Sequence, residues 1–106
     1  MAPKILVVDD EPGMRDMLVD ALTLAGHQAR AAIDGFDALK TIRAERFDLI
    51  ISDVNMPRMD GLSFARHVKA SPVHKFTPMI MLTTESQESK KAEGKAAGVR
   101  AWITKP

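Results

Sequence analysis

The sequence predicts an α/β domain in which helices cover a parallel β-sheet. Short apolar runs alternate along the chain with segments whose apolar residues recur at helical spacing, the pattern of successive βα units. The runs Ile5–Val8 and Met79–Leu82 contain no polar residue, as expected for strands that are covered on both faces. Because the chain has 106 residues, it is long enough for one compact domain of this kind.

The first predicted strand, Ile5–Val8, is followed by a long helix. Pro12 begins this helix because proline fits the first helical turn, and Gly26 ends it because glycine readily adopts the left-handed conformation of a helix end. Apolar residues at helical spacing predict its inward face: Met14, Met17, Leu18, Ala21, Leu22 and Ala25.

The next segments predict an edge strand, a second helix and a central strand. Gln28–Ala32 is only weakly apolar, which suits the edge of the sheet. Asp34 is the predicted cap of the second helix, whose inward residues are Ala38, Leu39 and Ile42. Phe47–Ser52 is the third strand, and its strongly apolar centre indicates a place in the middle of the sheet.

A loop, Asp53–Gly61, is predicted next because it contains Pro57 and ends in Asp60-Gly61, a pair typical of turns and helix caps. The third helix then begins, and its predicted inward residues are Leu62, Ala65 and Val68. Pro78–Thr83 is the fourth strand and Ala101–Thr104 is the fifth.

The fourth helix, Ser86–Ala97, is expected to be the least firmly held element. It contains no large apolar residue, and helices gain most of their stability by packing an apolar face. Gly94 lies in its interior, where glycine costs about 1 kcal/mol relative to alanine.

Composition and charge exclude several classes of function. The chain has no cysteine, which excludes disulfides and cysteine-rich zinc sites. A net charge of +1 argues against the concentrated basic face that nucleic-acid binding requires. The apolar runs are too short to span a bilayer and no signal-peptide pattern is present. We therefore expect a cytoplasmic protein that binds neither a membrane nor nucleic acid directly.

Polar residues follow the predicted strands where each strand ends. Asp9 and Asp10 follow the first strand, Asp53 the third and Lys105 the fifth, while Thr83 closes the fourth. In open α/β sheets, ligands bind beyond the carboxyl ends of the strands. The sequence therefore predicts one site made of three carboxylates, a hydroxyl and an ammonium group.

Three carboxylates in one pocket repel one another, by about 4 kcal/mol for each pair at ~4 Å and an effective dielectric near 20. Such a cluster takes up protons or binds a cation, and oxygen ligands without histidine or cysteine favour a hard cation such as Mg²⁺. A carboxylate nucleophile, a divalent metal and an ammonium group are together the components that phosphoryl transfer requires.

The residues that carry these features resemble the signature of bacterial response-regulator receiver domains, in particular the CheY-like, single-domain chemotaxis type. The matching stretches are Val7 to Pro12, Asp53 to Gly61, Thr83 and Lys105-Pro106. The resemblance implies a flavodoxin-like, doubly wound five-stranded parallel sheet with the strand order 2-1-3-4-5. It also implies a phosphorylation-controlled switch of a two-component system rather than an enzyme that acts on a free metabolite.

The resemblance further implies the role of each site residue. Asp53 would be the phosphoacceptor, with Mg²⁺ bound directly by Asp10, Asp53 and the backbone carbonyl of Asn55, and by Asp9 through water. Lys105 would pair with the phosphoryl group.

Four positions carry further expectations from the resemblance. The Thr83 hydroxyl would move to a phosphoryl oxygen, and Trp102 would be the aromatic residue that switches with it. Asn55 and Glu85 would tune dephosphorylation.

The expected partners are a sensor histidine kinase or a phosphotransfer protein, and a downstream protein that the sequence does not identify.

One departure from the family and two alternatives remain open. Receivers continue with a fifth helix, which is absent from residues 1–106, so we expect a receiver domain truncated before that helix, or a homodimer or element exchange that fills its place. An output domain that follows in a larger regulator is one alternative. A small Mg²⁺-dependent phosphatase of the haloacid-dehalogenase kind is the other alternative. In those enzymes the nucleophilic aspartate follows the first strand, and a second aspartate lies two residues after it. In this chain the candidate nucleophile Asp53 follows the third strand, and Asn55 lies two residues after it.

Overall fold

The computed structural model describes residues 2–83, 92 and 94–105. These residues form one five-stranded sheet with the order β2-β1-β3-β4-β5, in which every pair of neighbours is parallel. The strands are β1 (Lys4–Val8), β2 (Gln28–Ala32), β3 (Leu49–Asp53), β4 (Met79–Thr83) and β5 (Ala101–Thr104). The predicted flavodoxin-like strand order is confirmed, with β2 at one edge and β3 in the centre.

Within the described residues, three helices connect the strands from β1 to β4: α1 (Pro12–Leu24), α2 (Gly35–Ala44) and α3 (Gly61–Ala70). The predicted caps are confirmed, since Asp34 accepts the N–H of Asp37 and Asp60 accepts the N–H of Ser63, each at 2.8 Å. Within the described part of the chain, no helix combines the length and the apolar character that crossing a membrane requires.

Only the end of the predicted fourth helix, Ser86–Ala97, lies among the described residues, where Ala92 and residues 94–96 are helical. The structure gives Gly94 a packing role, because a Cβ atom at this position would lie 2.7 Å from the ring of Trp102. The predicted weakness of the other residues of this helix lies outside the described part of the chain.

The main hydrophobic core lies between the sheet and the helices α2 and α3. Leu6, Ile50 and Met81, from the three central strands, are completely buried in it. They pack in one cluster with residues of the two helices, among them Ala38, Ile42, Phe64, Ala65 and Val68. The inward residues predicted for α3 are confirmed, since Leu62, Ala65 and Val68 are all buried.

Helix α1 covers the opposite face of the sheet only in part. Its predicted buried face is wrong at Met17, Ala21 and Ala25, which are exposed, and α1 has no fully buried residue. Ala25 caps the end of α1 instead of lying within it. For Met17 the physical reason is a groove of about 330 Å³ beside the helix, lined mainly by apolar side chains: Met14, Met17, Leu18, Ile51, Ile80, Leu82 and Ile103. Within the described residues, no element packs into this groove.

Strand β3 begins two residues later than predicted and includes Asp53, which the sequence assigned to the loop. Phe47 is buried before the strand, and its N–H donates to Nε2 of His74 at 3.1 Å instead of to a neighbouring strand. Strand β4 begins at Met79 instead of Pro78, because proline has no N–H to donate.

His74, which lies in the segment before β4, accepts the hydrogen bond from Phe47. We expect this imidazole to make the stability of the folded chain sensitive to mild acid. Burial lowers the pKa of the His74 imidazole, and the positive charge of Arg46 lowers it further. The unfolded chain therefore binds a proton more readily than the folded chain. The contribution of His74 to the free energy of unfolding should be constant above about pH 6.5 and fall below it, by at most about 1.4 kcal/mol per pH unit for one proton.

Urea denaturation of His74→Gln and of the parent chain between pH 5 and pH 7.5 tests this expectation. The variant should lose much of the pH dependence, because its amide accepts a hydrogen bond without titrating. His67→Gln is the matched control, since His67 is exposed. Equal pH slopes for the parent chain and His74→Gln would contradict the assignment.

Candidate functional site

The candidate site lies at the carboxyl edge of the sheet. Asp9 immediately follows β1, Asp53 and Thr83 are the last residues of β3 and β4, and Lys105 follows β5. Because all five strands are parallel, these residues meet at the same edge. In the register of the sheet, Asp53 is paired with Leu82, so that Thr83 lies one residue further along the neighbouring strand.

Three carboxylates form the centre of the site. One oxygen from each of Asp9, Asp10 and Asp53 lies within 4.8 Å of the other two. Asp9 and Asp53 are buried, whereas Asp10 is exposed, so the cluster opens to solvent on one side. A set of carboxylate oxygens without histidine or sulfur is the donor chemistry that suits Mg²⁺.

Lys105 places a positive charge between two of these carboxylates. Its Nζ atom donates to Oδ2 of Asp9 at 3.0 Å and lies 3.4 Å from Oδ2 of Asp53. The backbone N–H of Lys105 also donates to the carbonyl oxygen of Thr83, which fixes the chain where it leaves β5. Burial alone would lower the pKa of Lys105, but the hydrogen bond to Asp9 and the charge of Asp53 raise it above its usual value.

The surroundings of Asp53 disfavour its charged form. Burial raises the pKa of Asp53; the charge of Lys105 acts against this rise, and the charge of Asp9 adds to it. The N–H of Asn55 donates to Oδ1 of Asp53 at 3.3 Å. A bound cation at this place would therefore favour the ionised form, which is the nucleophilic form of a carboxylate.

Asp9 is held on both of its carboxylate oxygens. Oδ1 accepts the N–H of Glu11 at 3.0 Å, and Oδ2 accepts Lys105. Its backbone carbonyl accepts the guanidinium of Arg15 at 2.9 Å. Arg15 is a residue that the sequence analysis missed, although a basic residue in the first turns of the helix that follows an acidic pair was a signal that could have found it.

Gly61 has a structural role beside Asp53 that turn chemistry alone does not explain. A Cβ atom at position 61 would lie 2.3 Å from the backbone oxygen of Asp53, closer than any side chain allows. The N–H of Gly61 donates to the carbonyl of Val54 at 2.8 Å. This close approach brings the start of α3 directly against the end of β3.

The remaining predicted residues lie around this centre or outside the described chain. Thr83 is buried beside Asp53, and Asn55 is exposed. Trp102 is half-buried against the core, and its Nε1 atom has no hydrogen-bond partner among the described residues. Glu85 lies outside the part of the chain that the structure describes.

Comparison with known proteins gives one consistent family. The model of one protein family, the response regulator receiver domain, matches residues 5–106. The chain is 46% identical to the chemotaxis protein CheY4 of Vibrio cholerae, with a TM-score of 0.97 over 100% of this chain and 88% of that one.

Two further relatives differ in length and bound ligand. The response regulator MprA of Mycobacterium ulcerans is 35% identical over 106 residues, and the chain spans only 45% of its length. The response regulator TrrA of Thermotoga maritima, solved in complex with Mg²⁺-BeF, is 32% identical with a TM-score of 0.87, over 100% of this chain and 88% of that one.

Replacing Asp53 by asparagine should stabilise the protein in the absence of divalent cations. Because its folded pKa lies above the unfolded value, the folded chain holds the proton more tightly, and stability falls as pH rises through that range. At pH 7 we expect the free energy of unfolding of Asp53→Asn to be about 1 kcal/mol higher than that of the parent chain. Stabilising substitutions commonly have effects of this size.

Chemical denaturation in the presence of a chelator measures this difference. Asp20→Asn, which removes the same charge from an exposed position on α1, is the control and should leave stability nearly unchanged. A destabilised Asp53→Asn would show that the carboxylate is favourable in the folded protein.

Proposed function

The chain belongs to the response regulator receiver domain family of two-component signalling, and we propose that Asp53 accepts a phosphoryl group from the phosphohistidine of a sensor histidine kinase or a phosphotransfer protein. The observation that carries this proposal is the meeting of three carboxylates with Lys105 at one edge of the sheet. Phosphoryl transfer depends mainly on positioning and on charge stabilisation, and this arrangement supplies both.

Mg²⁺ is the proposed cofactor, and the donor set fits it. Asp10, Asp53 and the backbone carbonyl of Asn55 would bind the ion directly. Asp9, whose two carboxylate oxygens accept the N–H of Glu11 and the ammonium group of Lys105, would act through water, as the family resemblance implies. Bound there, Mg²⁺ would draw negative charge from the phosphoryl oxygens. The Mg²⁺-BeF complex of TrrA, a relative of similar fold, supports this choice of ion.

In the proposed reaction, a carboxylate oxygen of Asp53 attacks the phosphorus atom of the donor. The new O–P bond forms as the P–N bond to the donor imidazole breaks, and the imidazole leaves with the electron pair. The ammonium group of Lys105, 3.4 Å from Asp53, is within reach of a phosphoryl oxygen on that aspartate. Its raised pKa keeps it protonated throughout the neutral range.

The proposed response to phosphorylation passes through β4 and β5. The hydroxyl of Thr83, buried one residue beyond the partner of Asp53, would move to a phosphoryl oxygen. Trp102 lies on the adjacent strand β5, and its ring packs against Gly94. We propose that this ring changes position when Thr83 moves. Asn55 and Glu85 would set the rate at which water removes the phosphoryl group.

We further propose that the chain turns over no free metabolite and acts as a CheY-like, single-domain regulator. The 88% coverage of CheY4 supports this reading. The alternative is that residues 1–106 are the receiver domain of a larger regulator, as the 45% coverage of MprA would suggest. The phosphatase alternative is disfavoured because Asn55 occupies the position of its second aspartate.

Acetyl phosphate with Mg²⁺ should add one phosphoryl group to the protein, and the modified residue should be Asp53. Intact-mass spectrometry measures the added mass, and Asp53→Asn should show none. Beryllofluoride with Mg²⁺ should also change the fluorescence of Trp102, the only tryptophan. Asp48→Asn, at the amino end of the sheet, is the matched control and should behave like the parent chain. Modification of Asp53→Asn to the same extent would refute the assignment.

A further inference from the structure

The loop between β3 and α3, residues 54–60, is called the acceptor loop here because it follows Asp53. It contains Asn55, whose carbonyl is a proposed Mg²⁺ ligand. Three hydrogen bonds from backbone N–H groups hold the ends of the loop: the N–H of Asn55 donates to Asp53, the N–H of Gly61 donates to Val54, and the N–H of Val54 donates to the carbonyl of Leu82 in β4 at 3.0 Å. A further attachment, in the middle of the loop, joins Arg58 to Asp34.

Arg58 has an unusual backbone conformation. Its φ angle of 68° is the only positive value at a non-glycine residue in the described part of the chain. A residue with a side chain occupies this region at a cost in free energy and stays there only when surrounding contacts hold it. The guanidinium of Arg58 makes two such contacts, an ion pair with Asp34 and a cation–π contact 5.3 Å from the centroid of the Phe36 ring.

Asp34 is a well-fixed partner for this arginine. It is 5% exposed, and its Oδ1 atom accepts the N–H of Asp37 as the cap of α2, which leaves Oδ2 for Arg58. The hydrogen bond from Asp37 lowers the pKa of Asp34 in spite of its burial, and Arg58 lowers it further, so the carboxylate stays charged at neutral pH.

A second contact joins the same two segments. Met59 packs against Gly35, the first residue of α2, so closely that a Cβ atom at position 35 would lie 2.8 Å from the sulfur atom. The N–H of Met59 donates to the carbonyl of Pro57 at 2.7 Å, which tightens the turn around Arg58. The acceptor loop is therefore fixed to the start of α2 by a charged pair and by an apolar contact.

We propose that Asp34 and Arg58 form a latch that positions the acceptor loop, and with it the Asn55 carbonyl, for binding Mg²⁺. Both are positioning residues, since neither belongs to the carboxylate cluster. This inference rests on the proposed function. Groups that orient a metal ligand from outside the coordination sphere commonly alter metal affinity by about 10- to 100-fold. Breaking the latch releases Arg58 from its left-handed conformation and lets the loop move away from Asp53.

Isothermal titration calorimetry with Mg²⁺ alone tests the latch. Asp34→Asn keeps an oxygen that caps α2 but removes the charge, and Arg58→Gln removes the charge from the loop. Each variant should weaken the Mg²⁺ affinity by about tenfold. The double variant should be no weaker than the weaker single variant, because both substitutions break one interaction.

The control is Glu45→Gln, which breaks the ion pairs of Glu45 with Lys4 and Arg30 at the amino end of the sheet. It matches the loss of a charged pair but should leave the Mg²⁺ affinity unchanged. Amide hydrogen exchange without Mg²⁺ provides a second measurement. The N–H groups of Met59 and Gly61 should exchange faster in both latch variants and at the parental rate in the control.

The outcomes separate this inference from the proposed function. A parent chain that binds Mg²⁺ while either latch variant binds it within twofold of the parent affinity overturns the latch alone. Losses that multiply in the double variant also overturn it, because they indicate two independent effects. A parent chain that binds no Mg²⁺ overturns the proposed function and the latch together.

Discussion

The placement of one lysine ammonium between two buried carboxylates is the interaction on which the rest of this site depends. Asp9 and Asp53 are both removed from solvent, and Lys105 contacts them at 3.0 and 3.4 Å. One positive charge offsets two buried negative ones incompletely, and the exposed Asp10 adds a third. Burial raises the pKa of Asp53, the charge of Lys105 opposes this rise and the charge of Asp9 adds to it, so the site has an affinity for one more positive charge.

The parallel sheet makes this arrangement possible. Strands that run in the same direction deliver their last residues to one edge, so residues as far apart in sequence as Asp9 and Lys105 come into hydrogen-bond contact. The close approach of Gly61 to Asp53 then brings the acceptor loop over the same edge. The connection of Arg58 to Asp34 extends the support to α2, so that the site is held by elements on both sides of the central strand.

The two faces of the sheet are packed differently. Helices α2 and α3 enclose a continuous core on one face, which fixes the strands that carry Asp9, Asp53 and Thr83. On the other face, α1 lies beside an apolar groove that reaches Lys105. The strands that carry the carboxylates are therefore supported by the core under α2 and α3. Lys105, whose positive charge offsets theirs, borders the face that α1 covers only in part.

The sequence by itself determined the strand order, through the family resemblance, and the residues at the carboxyl edge of the sheet. It could do so because polar residues at the ends of apolar runs are local signals, and parallel strands bring those ends together whatever the details of packing. Only the tertiary structure decided which of these residues contact one another, how far α1 is buried, and that Phe47 donates to His74 instead of joining β3. The Asp34–Arg58 pair, 24 residues apart, also could not be predicted. Periodicity reports the direction of a side chain within its own element, whereas a partner is chosen by how separate elements pack.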